Sequence, residues 1–310
     1  MIEKGEARQY VTDVLNVGRS TLYRARFTRH LPVDAPVLYT WRYHVAVKAA
    51  VLFFSLCLPA AADLAAGLQA LKNGDYATAL KEFLPLAKQG NALAEFNLGF
   101  MYDEGQGVPQ DYAEAVRWYR RAAEQGNASA QFNLGSMYRE GQGVTQDWAE
   151  AVRWYRKAAK QGDAHAQLNL GLMHLGGPGV PQDYAEAVRW CRKAAEQGHP
   201  GAQFQLGVMY EMGLGVTQDW AEAVRWYRKA AEQGDAHAQF DLGVMYAHGE
   251  GVPQDYVQAH MWVSLAASRA SGDDQRKFAH ERDFLAEKMT PQQVAEAQRL
   301  AREWKPKTSR

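Results

Sequence analysis

The apolar residues between positions 111 and 146 recur at helical spacing in two consecutive blocks. In the first block they follow i, i+3, i+4, i+7, at Ala115, Trp118, Tyr119 and Ala122. In the second block they lie four residues apart, at Ala130, Leu134 and Tyr138. Each spacing places its apolar residues on one side of an α-helix. The pattern therefore predicts two amphipathic helices joined by a short turn.

Polar residues and glycines mark the ends of both predicted helices. Asp111 is a preferred N-cap, and Glu114 three residues later predicts a capping box. Gly126 is the expected left-handed residue after the first helix, and Asn127 caps the second. The equivalent caps in the other units are Asp or Asn, except in one unit, where His199 takes the position.

The same pair of helices recurs along the chain with a period of 36 residues. The segment GVTQDWAEAVRWYRKAA occurs at 143–159 and again at 215–231, and near-copies begin at Gly107 and Gly179. Five tryptophans keep this period, at Trp118, Trp154, Trp190, Trp226 and Trp262. Such a period is typical of stacked helical repeats, because one hairpin cannot bury both of its faces alone.

The predicted fold is all-α: an α/α superhelical solenoid of about six 36-residue helical-hairpin repeats with a C-terminal capping helix. We expect the repeats to span residues 63–288, and the cap, opened by Thr290 and Pro291, to occupy 289–310 with the tail. Gly135 and its equivalents interrupt a helix interior, which costs about 1 kcal/mol relative to alanine. A neighbouring element is therefore expected to pack closely at these glycines, and the tryptophans are interpreted as core residues.

The segment from Arg42 to Leu64 has the order of features of a secretory signal peptide. A positive flank precedes a ten-residue apolar run, and small residues follow Pro59 and end before Asp63. The run is shorter than the roughly 20 residues of a membrane span. We therefore expect a signal peptide at 41–62, cleavage before Asp63, no stable membrane span afterwards, and a periplasmic or secreted protein.

About forty residues precede this signal peptide, whereas such a segment usually starts a chain. One interpretation is that translation starts downstream, at a position such as Val37 or Val45, so that residues 1–40 are not translated or are disordered. The alternative is that the whole N-terminus is present and the apolar run is a short anchor. N-terminal sequencing of the mature protein distinguishes the two.

Composition excludes several classes of function. The 310 residues have zero net charge, and residues 1–62 hold eight Lys/Arg and four Asp/Glu, so the rest of the chain is at −4. A mildly acidic repeat region argues against nucleic acid as a partner. Cys57 and Cys191 have no zinc or disulfide spacing, and Cys191 is expected to be a small buried substitute for tyrosine. His165 and His237, and likewise His237 and His248, are expected to lie too far apart to share a metal ion, and no cofactor, metal or catalytic residue is predicted.

The repeat motif A-x-A-Q-F-x-L-G-x-M-Y, followed by G-x-G-V-P-Q-D-Y-x-E-A-V-R-W-Y, resembles the Sel-one-like repeat family, a relative of the tetratricopeptide repeat. The resemblance covers roughly residues 64–304. It implies a non-enzymatic protein-interaction scaffold, and such bacterial proteins are often exported and act in envelope assembly, signalling or host contact. The resemblance provides no catalytic residues. We expect a monomer that binds a protein or peptide.

Certain positions of the second helix change their chemistry from unit to unit while the apolar stripe stays constant. They are spaced i, i+4, i+7, i+11, which places them on one helix face. We predict that this face lines the groove of the stack and binds the partner; we call it the binding face. Its predicted residues are Asn97, Phe100, Glu104, Asn133, Ser136, Glu140, Asn169, Leu172, Gln205, Val208, Met212, Asp241, Val244 and His248.

Two alternatives remain open at the level of the sequence. The variable face could be an exposed surface that drifts freely. The protein could instead be a cell-wall-associated enzyme or a glycan-binding protein that stacks sugars on aromatic residues. Burial of the five tryptophans would remove the main support for glycan binding.

Overall fold

The computed structural model describes residues 62–177 and 179–307, and these residues form fourteen helices and no strand. The predicted signal peptide, the upstream segment and Cys57 lie outside the described residues. The helices are α1 (Leu64–Lys72), α2 (Tyr76–Lys88), α3 (Ala92–Glu104), α4 (Tyr112–Glu124), α5 (Ala128–Glu140), α6 (Trp148–Lys160), α7 (Ala164–Gly176), α8 (Tyr184–Glu196), α9 (Pro200–Met212), α10 (Trp220–Gln233), α11 (Ala236–His248), α12 (Tyr256–Arg269), α13 (Gly272–Glu287) and α14 (Pro291–Glu303).

Consecutive helices pack as six pairs, from α1 with α2 to α11 with α12, before α13 and α14 close the chain. The predicted all-α solenoid of about six hairpins is confirmed. In the regular units we call the first helix of each pair the A helix (α3, α5, α7, α9, α11). Their partners, α4, α6, α8, α10 and α12, are the B helices. No helix among the described residues has the length and apolar character needed to cross a bilayer.

The helix ends follow the predicted caps, with one difference. The carboxylate of Asp111 accepts hydrogen bonds from the backbone amides of Ala113 and Glu114, each at 3.0 Å. The return bond of a capping box is absent, because Glu114 pairs instead with Arg117, at 2.5 Å. Both arms of a capping box are present in α14, between Thr290 and its Gln partner three residues on.

The mid-helix glycines accommodate a side chain from the paired B helix, which is a tyrosine at Gly99, Gly135 and Gly207. A Cβ atom on Gly135 would lie 2.8 Å from the ring of Tyr155, and one on Gly99 would lie 2.6 Å from Tyr119. Such distances are shorter than any ordinary carbon–carbon contact. The predicted close approach is confirmed. In the third unit the smaller Cys191 takes the tyrosine position and is fully buried, as predicted.

Four of the five periodic tryptophans belong to the hydrophobic core, and the first, Trp118, is the exception. Trp154, Trp190, Trp226 and Trp262 are 5%, 7%, 5% and 7% exposed. Trp118 is half-buried, and the guanidinium of Arg121 lies 4.9 Å from the centre of its ring. Trp118 packs at the edge of the first hydrophobic cluster, where no earlier unit of the same type covers it.

Buried glutamines join successive units in a way that hydrophobic periodicity does not predict. The Gln131 side chain donates to the carbonyl oxygen of Ala123 in the preceding B helix, at 3.0 Å, and accepts from Gln161, at 2.7 Å. The pattern recurs every 36 residues at Gln167 and Gln203. We call this the glutamine ladder. It satisfies polar atoms that would otherwise destabilise the core.

The C-terminal helices cover the end of the stack. In α13, Phe278 stacks on Phe240 of α11 with ring centres 4.3 Å apart. After α14, the ring of Trp304 lies edge-on to Trp262 at 6.2 Å. The backbone amide of Lys307 then donates to the carbonyl oxygen of Glu232, at 2.7 Å. The cap therefore comprises α14 as predicted, together with α13.

Candidate partner-binding face

The predicted binding-face residues all lie on the A helices and differ in their exposure. Asn97 is buried. Half-buried members are Phe100, Asn133, Ser136, Asn169, Gln205, Val208, Asp241 and Val244. Exposed members are Glu104, Glu140, Leu172, Met212 and His248. The face is therefore mixed: one edge packs against neighbouring helices, and the other is open to solvent.

Several members of the predicted face serve the packing of the stack. Asn97 is 5% exposed, and its side-chain amide donates to the carbonyl oxygen of Leu93, at 2.7 Å. Phe100, Val208 and Val244 pack against the hydrophobic clusters of their units. Side chains so placed have little surface to offer a partner. The open apolar surface of the predicted face lies in the third and fourth units, where Leu172 is 39% exposed and Met212 is 64% exposed.

A cavity of about 400 Å³ lies at the N-terminal end of the face, between α3 and α5. Its polar lining contains four predicted binding-face residues and the adjacent Asp103. The four are Glu104, Asn133, Ser136 and Glu140. Phe132 and Tyr112 supply aromatic walls. Three carboxylates in one cavity define a negatively charged pocket. We call Asp103, Glu104 and Glu140 the N-terminal acidic site.

Asp103 is held in this site by a residue of the B helix. The hydroxyl of Tyr119 donates to its carboxylate at 3.1 Å. Burial raises the pKa of Asp103, and the nearby charges of Glu104 and Glu140 raise it further. Burial also raises the pKa of the Tyr119 hydroxyl. The tyrosine is thus a neutral donor that orients the carboxylate toward the cavity.

The same arrangement recurs three units later. The hydroxyl of Tyr227 donates to the carboxylate of Glu211 in a short hydrogen bond. Asp241 on the next A helix corresponds to Asn133 in the repeat and adds a second carboxylate. Burial, with the neighbouring Glu211 charge, raises the pKa of Asp241 to about 6. We call Glu211 and Asp241 the C-terminal acidic site.

The units between these two sites have different chemistry at the same positions. Arg139 donates to the side-chain oxygen of Asn169 at 3.1 Å and pairs with the adjacent Glu140. The hydroxyl of Tyr155 bonds to Ser136 at 3.0 Å. In the third unit the corresponding positions are Leu175 and Cys191, and no charge is present there.

The predicted binding face does not include the repeat position that is occupied by Asp103, Arg139 and Glu211 in different units. These residues precede the predicted Glu104, Glu140 and Met212 by one position. The sequence signal for this position is the set of tyrosines on the B helices, whose hydroxyls are polar although their rings belong to the apolar stripe. A buried tyrosine hydroxyl needs a hydrogen-bond partner, and the period of 36 residues would have located that partner on the A helix.

Two histidines meet between the third and fourth units. The ring nitrogens Nε2 of His199 and Nδ1 of His165 lie 3.1 Å apart. His199 caps α9, since its Nδ1 accepts from the backbone amide of Ala202 at 3.3 Å. Nδ1 of His199 is therefore unprotonated, and its Nε2 is the donor to His165. Among the described residues no group of three or more His, Cys, Asp or Glu could hold a metal ion.

This pair predicts a loss of stability at acidic pH. Burial, together with the charge of His165, lowers the pKa of His199 below its ordinary value of 6.5, against a smaller opposing effect of Asp163. The native state binds its proton less tightly than the unfolded chain does. The contribution of His199 to stability is therefore complete above about pH 6.5 and decreases as the pH falls through the native pKa.

We expect His199→Asp, which introduces the cap residue of other units, to reduce the difference in melting temperature between about pH 7.5 and pH 5. Thermal melts by circular dichroism measure this difference. His248→Asn, at an exposed histidine of α11, is the control and should keep the wild-type difference. If His199→Asp showed the same decrease in melting temperature at acidic pH as the wild type, the role given to His199 would be contradicted.

The paired helices, the regular stack and the variable A-helix face define a helical solenoid repeat protein. The Sel1 repeat model matches residues 92–127, 128–163, 164–199, 200–235 and 236–271. The chain belongs to the Sel1 repeat family, whose members are generally protein-interaction scaffolds. The resemblance predicted from the sequence motif is thereby confirmed.

The chain is also similar to solved structures. A Sel1 repeat protein from Oxalobacter formigenes is 34% identical, and the match covers 78% of this chain and 99% of that one, with a TM-score of 0.68. A protective antigen of uropathogenic Escherichia coli strains, c5321, which displays an SLR fold, is 30% identical. That match covers 77% of this chain and 67% of that chain, with a TM-score of 0.38. No curated protein matches the chain.

Proposed function

We propose that this protein is an exported, non-enzymatic scaffold that binds a protein or peptide partner on its binding face, in envelope assembly, signalling or host contact. The observation that carries the proposal is the contrast between the positions that join neighbouring units and the solvent-exposed positions of the A helices. The columns that join units repeat almost without change, whereas the open edge of the A helices changes along the stack, from Glu104 and Glu140 to Met212 and His248. Stacked repeats commonly present such a variable surface to a partner.

The exposed apolar side chains in the middle of the face support this proposal. Leu172 and Met212 lie on adjacent A helices, α7 and α9, and both are exposed beside the polar residues Asn169, Gln205 and Glu211. Solvent-exposed apolar residues rimmed by polar ones are typical of interaction sites. The signal-peptide pattern, with predicted cleavage before Asp63, supports export.

The glycan-binding alternative loses the support that the tryptophans would have given it. Trp154, Trp190, Trp226 and Trp262 are at most 7% exposed, so their faces are covered by protein. A sugar ring that stacks on tryptophan needs an open aromatic face. Trp118 is the half-buried member of the column, and Arg121 already lies over its ring.

Site-specific photo-crosslinking in the producing cell tests the proposal. A benzophenone amino acid at position 212 or 172 should give a discrete covalent adduct with another protein, identified by mass spectrometry. The same group at the exposed position Arg117 of α4 is the matched control and should not give that adduct. Absence of an adduct at 212 and 172, or the same adducts at all three positions, would contradict partner binding on this face.

A double substitution measures the contribution of the two apolar residues. We expect Leu172→Ser with Met212→Gln to leave the melting temperature within a few degrees of wild type, because both side chains are exposed. Association with the crosslinked partner should weaken at least tenfold, since a few central apolar residues usually dominate an interface. Phe100 and Val208 are left in place because they pack against the core. Unchanged association in a folded double variant would contradict the assignment.

A further inference from the structure

The binding face has carboxylates at both ends and an apolar region between them. The N-terminal acidic site lies on α3 and α5, and the C-terminal acidic site lies on α9 and α11. Asp103 and Glu211 are separated by 108 residues, three times the period of 36. Leu172 lies on α7, between the two sites, and Met212 lies on α9, next to Glu211. The order along the face is therefore negative, then apolar, then negative.

The separation of the acidic sites follows from the repeat. Neighbouring helices pack about 10 Å apart, so three units span roughly 30 Å. An extended peptide advances about 3.3 Å per residue, and roughly nine residues therefore cover that distance. A single helix would need about twenty residues for the same length.

The charges that face this surface are predominantly negative. Against five carboxylates, Arg139 is the cation within the face, and it is already paired with Glu140 and hydrogen-bonded to Asn169. Lys277 of α13 approaches Asp241 from the C-terminal side and partly offsets its charge. The remaining negative charge complements a basic partner, and it would repel a second acidic surface.

We propose, on the basis of the function proposed above, that the partner binds as an extended segment with two basic side chains about nine residues apart and an apolar side chain between them. One basic side chain binds at Asp103, Glu104 and Glu140. The other binds at Glu211 and Asp241. The apolar side chain contacts Leu172 and Met212.

Each acidic site has a feature that suits a cation. In the N-terminal site a long basic side chain can enter the cavity, where Phe132 and Tyr112 contact its aliphatic part. In the C-terminal site Glu211 and Asp241 repel each other, and burial raises the pKa of Asp241 to about 6. A bound cation relieves this repulsion.

Fluorescence anisotropy with defined peptides tests the proposal. The probe is a labelled peptide of roughly 13 residues, with two arginines about nine residues apart, two central leucines, and serine and glycine elsewhere. We expect it to bind at least tenfold more tightly than three control peptides. One control has glutamate for both arginines, one has serine for both leucines, and one places the arginines about five residues apart.

Charge-neutralising variants assign the binding to the two sites. Asp103→Asn with Glu140→Gln, and separately Glu211→Gln with Asp241→Asn, should each weaken binding of the arginine peptide about tenfold. Glu114→Gln with Glu150→Gln removes the same number of charges from the B helices and should leave binding unchanged. Asparagine and glutamine keep the acceptors for Tyr119 and Tyr227, and circular dichroism confirms that each variant is folded.

The dependence on pH and salt provides a further measurement on the wild-type chain. Binding of the arginine peptide should tighten as the pH rises from about 5 to 7, because Asp241 loses its proton over this range. The charged and titratable groups that face Asp241 are Glu211, Lys277, His237 and Asp235. Raising the salt concentration from about 50 to 300 mM should weaken binding.

Two results would overturn the proposal: equal affinity for the arginine and glutamate peptides, or equal affinity for the wild type and both acidic-site variants. Either result can be distinguished from failure of the proposed function, which is partner binding on the binding face. If position 212 still crosslinks to a protein in the cell, and the Asp103/Glu140 and Glu211/Asp241 variants leave that adduct unchanged, partner binding stands and the basic segment is wrong. An adduct with a second copy of this chain would also overturn it.

Discussion

Gly143→Ala is expected to destabilise the protein by about 4 kcal/mol or more, which is a large effect for replacing one hydrogen atom with a methyl group. Gly143 lies in the loop before α6 with φ at +67°, where L-residues are strained. A Cβ atom there would lie 2.2 Å from the carbonyl oxygen of Tyr112. Because the obstructing atom belongs to the backbone of α4, no side-chain rotation can relieve the clash.

Gly162→Ala is the matched control for Gly143→Ala. Gly162 also has a positive φ, +99°, but no atom lies within 4 Å of the position its Cβ would take. This variant therefore reports the backbone strain alone, about 1–2 kcal/mol. Urea unfolding monitored by circular dichroism gives both free energies. Equal losses in the two variants would show that the close approach between the loop and α4 contributes nothing.

Trp190→Ala is expected to cost about 3–5 kcal/mol, because it removes a large side chain from the middle of the stack. Trp190 of α8 is 7% exposed and packs in a hydrophobic cluster with buried residues of α6 and α7. In a solenoid each unit contacts only its neighbours. The defect should therefore separate unfolding into two transitions, one for the units on each side, instead of abolishing folding.

Trp118→Ala is the control from the same column of the repeat. Trp118 is half-buried at the edge of the N-terminal cluster, so its truncation should cost less than that of Trp190 and leave a single transition. Differential scanning calorimetry resolves the transitions. A single unchanged melt of Trp190→Ala would contradict the core role of this residue.

Much of the fold could be predicted from the sequence because its determinants are local. Helix period, Asp and Asn caps, and left-handed glycines act within a few residues, and the repeat multiplies each signal. The cap of His199 and the close contact at Gly135 were predicted on this basis and are confirmed. The prediction of a capping box at Glu114 was wrong, because the nearby Arg117 forms an ion pair with the Glu114 carboxylate.

The binding face was harder to predict because it depends on how helices from different units meet. Helical spacing places Asn97 and Met212 on the same face, but it does not indicate which edge the next helix covers. The structure buries Asn97 and leaves Met212 open. The bond from Tyr227 to Glu211 likewise joins residues that are 16 positions apart on two helices. Such contacts require the crossing geometry of the pair, which periodicity alone does not specify.

The glutamine ladder has an evolutionary consequence. Gln131, Gln167 and Gln203 each donate to the same carbonyl position of the preceding B helix and accept from the same glutamine of their own unit. Unequal recombination that deletes or inserts a whole unit would therefore leave every internal glutamine with both partners. The architecture tolerates changes of copy number, and the identical segments at 143–159 and 215–231 are what a recent duplication of two units would leave. Under the binding mode proposed above, each unit gained or lost between the two acidic sites would change their separation by one fixed increment, and the length of the recognised segment would change only in steps.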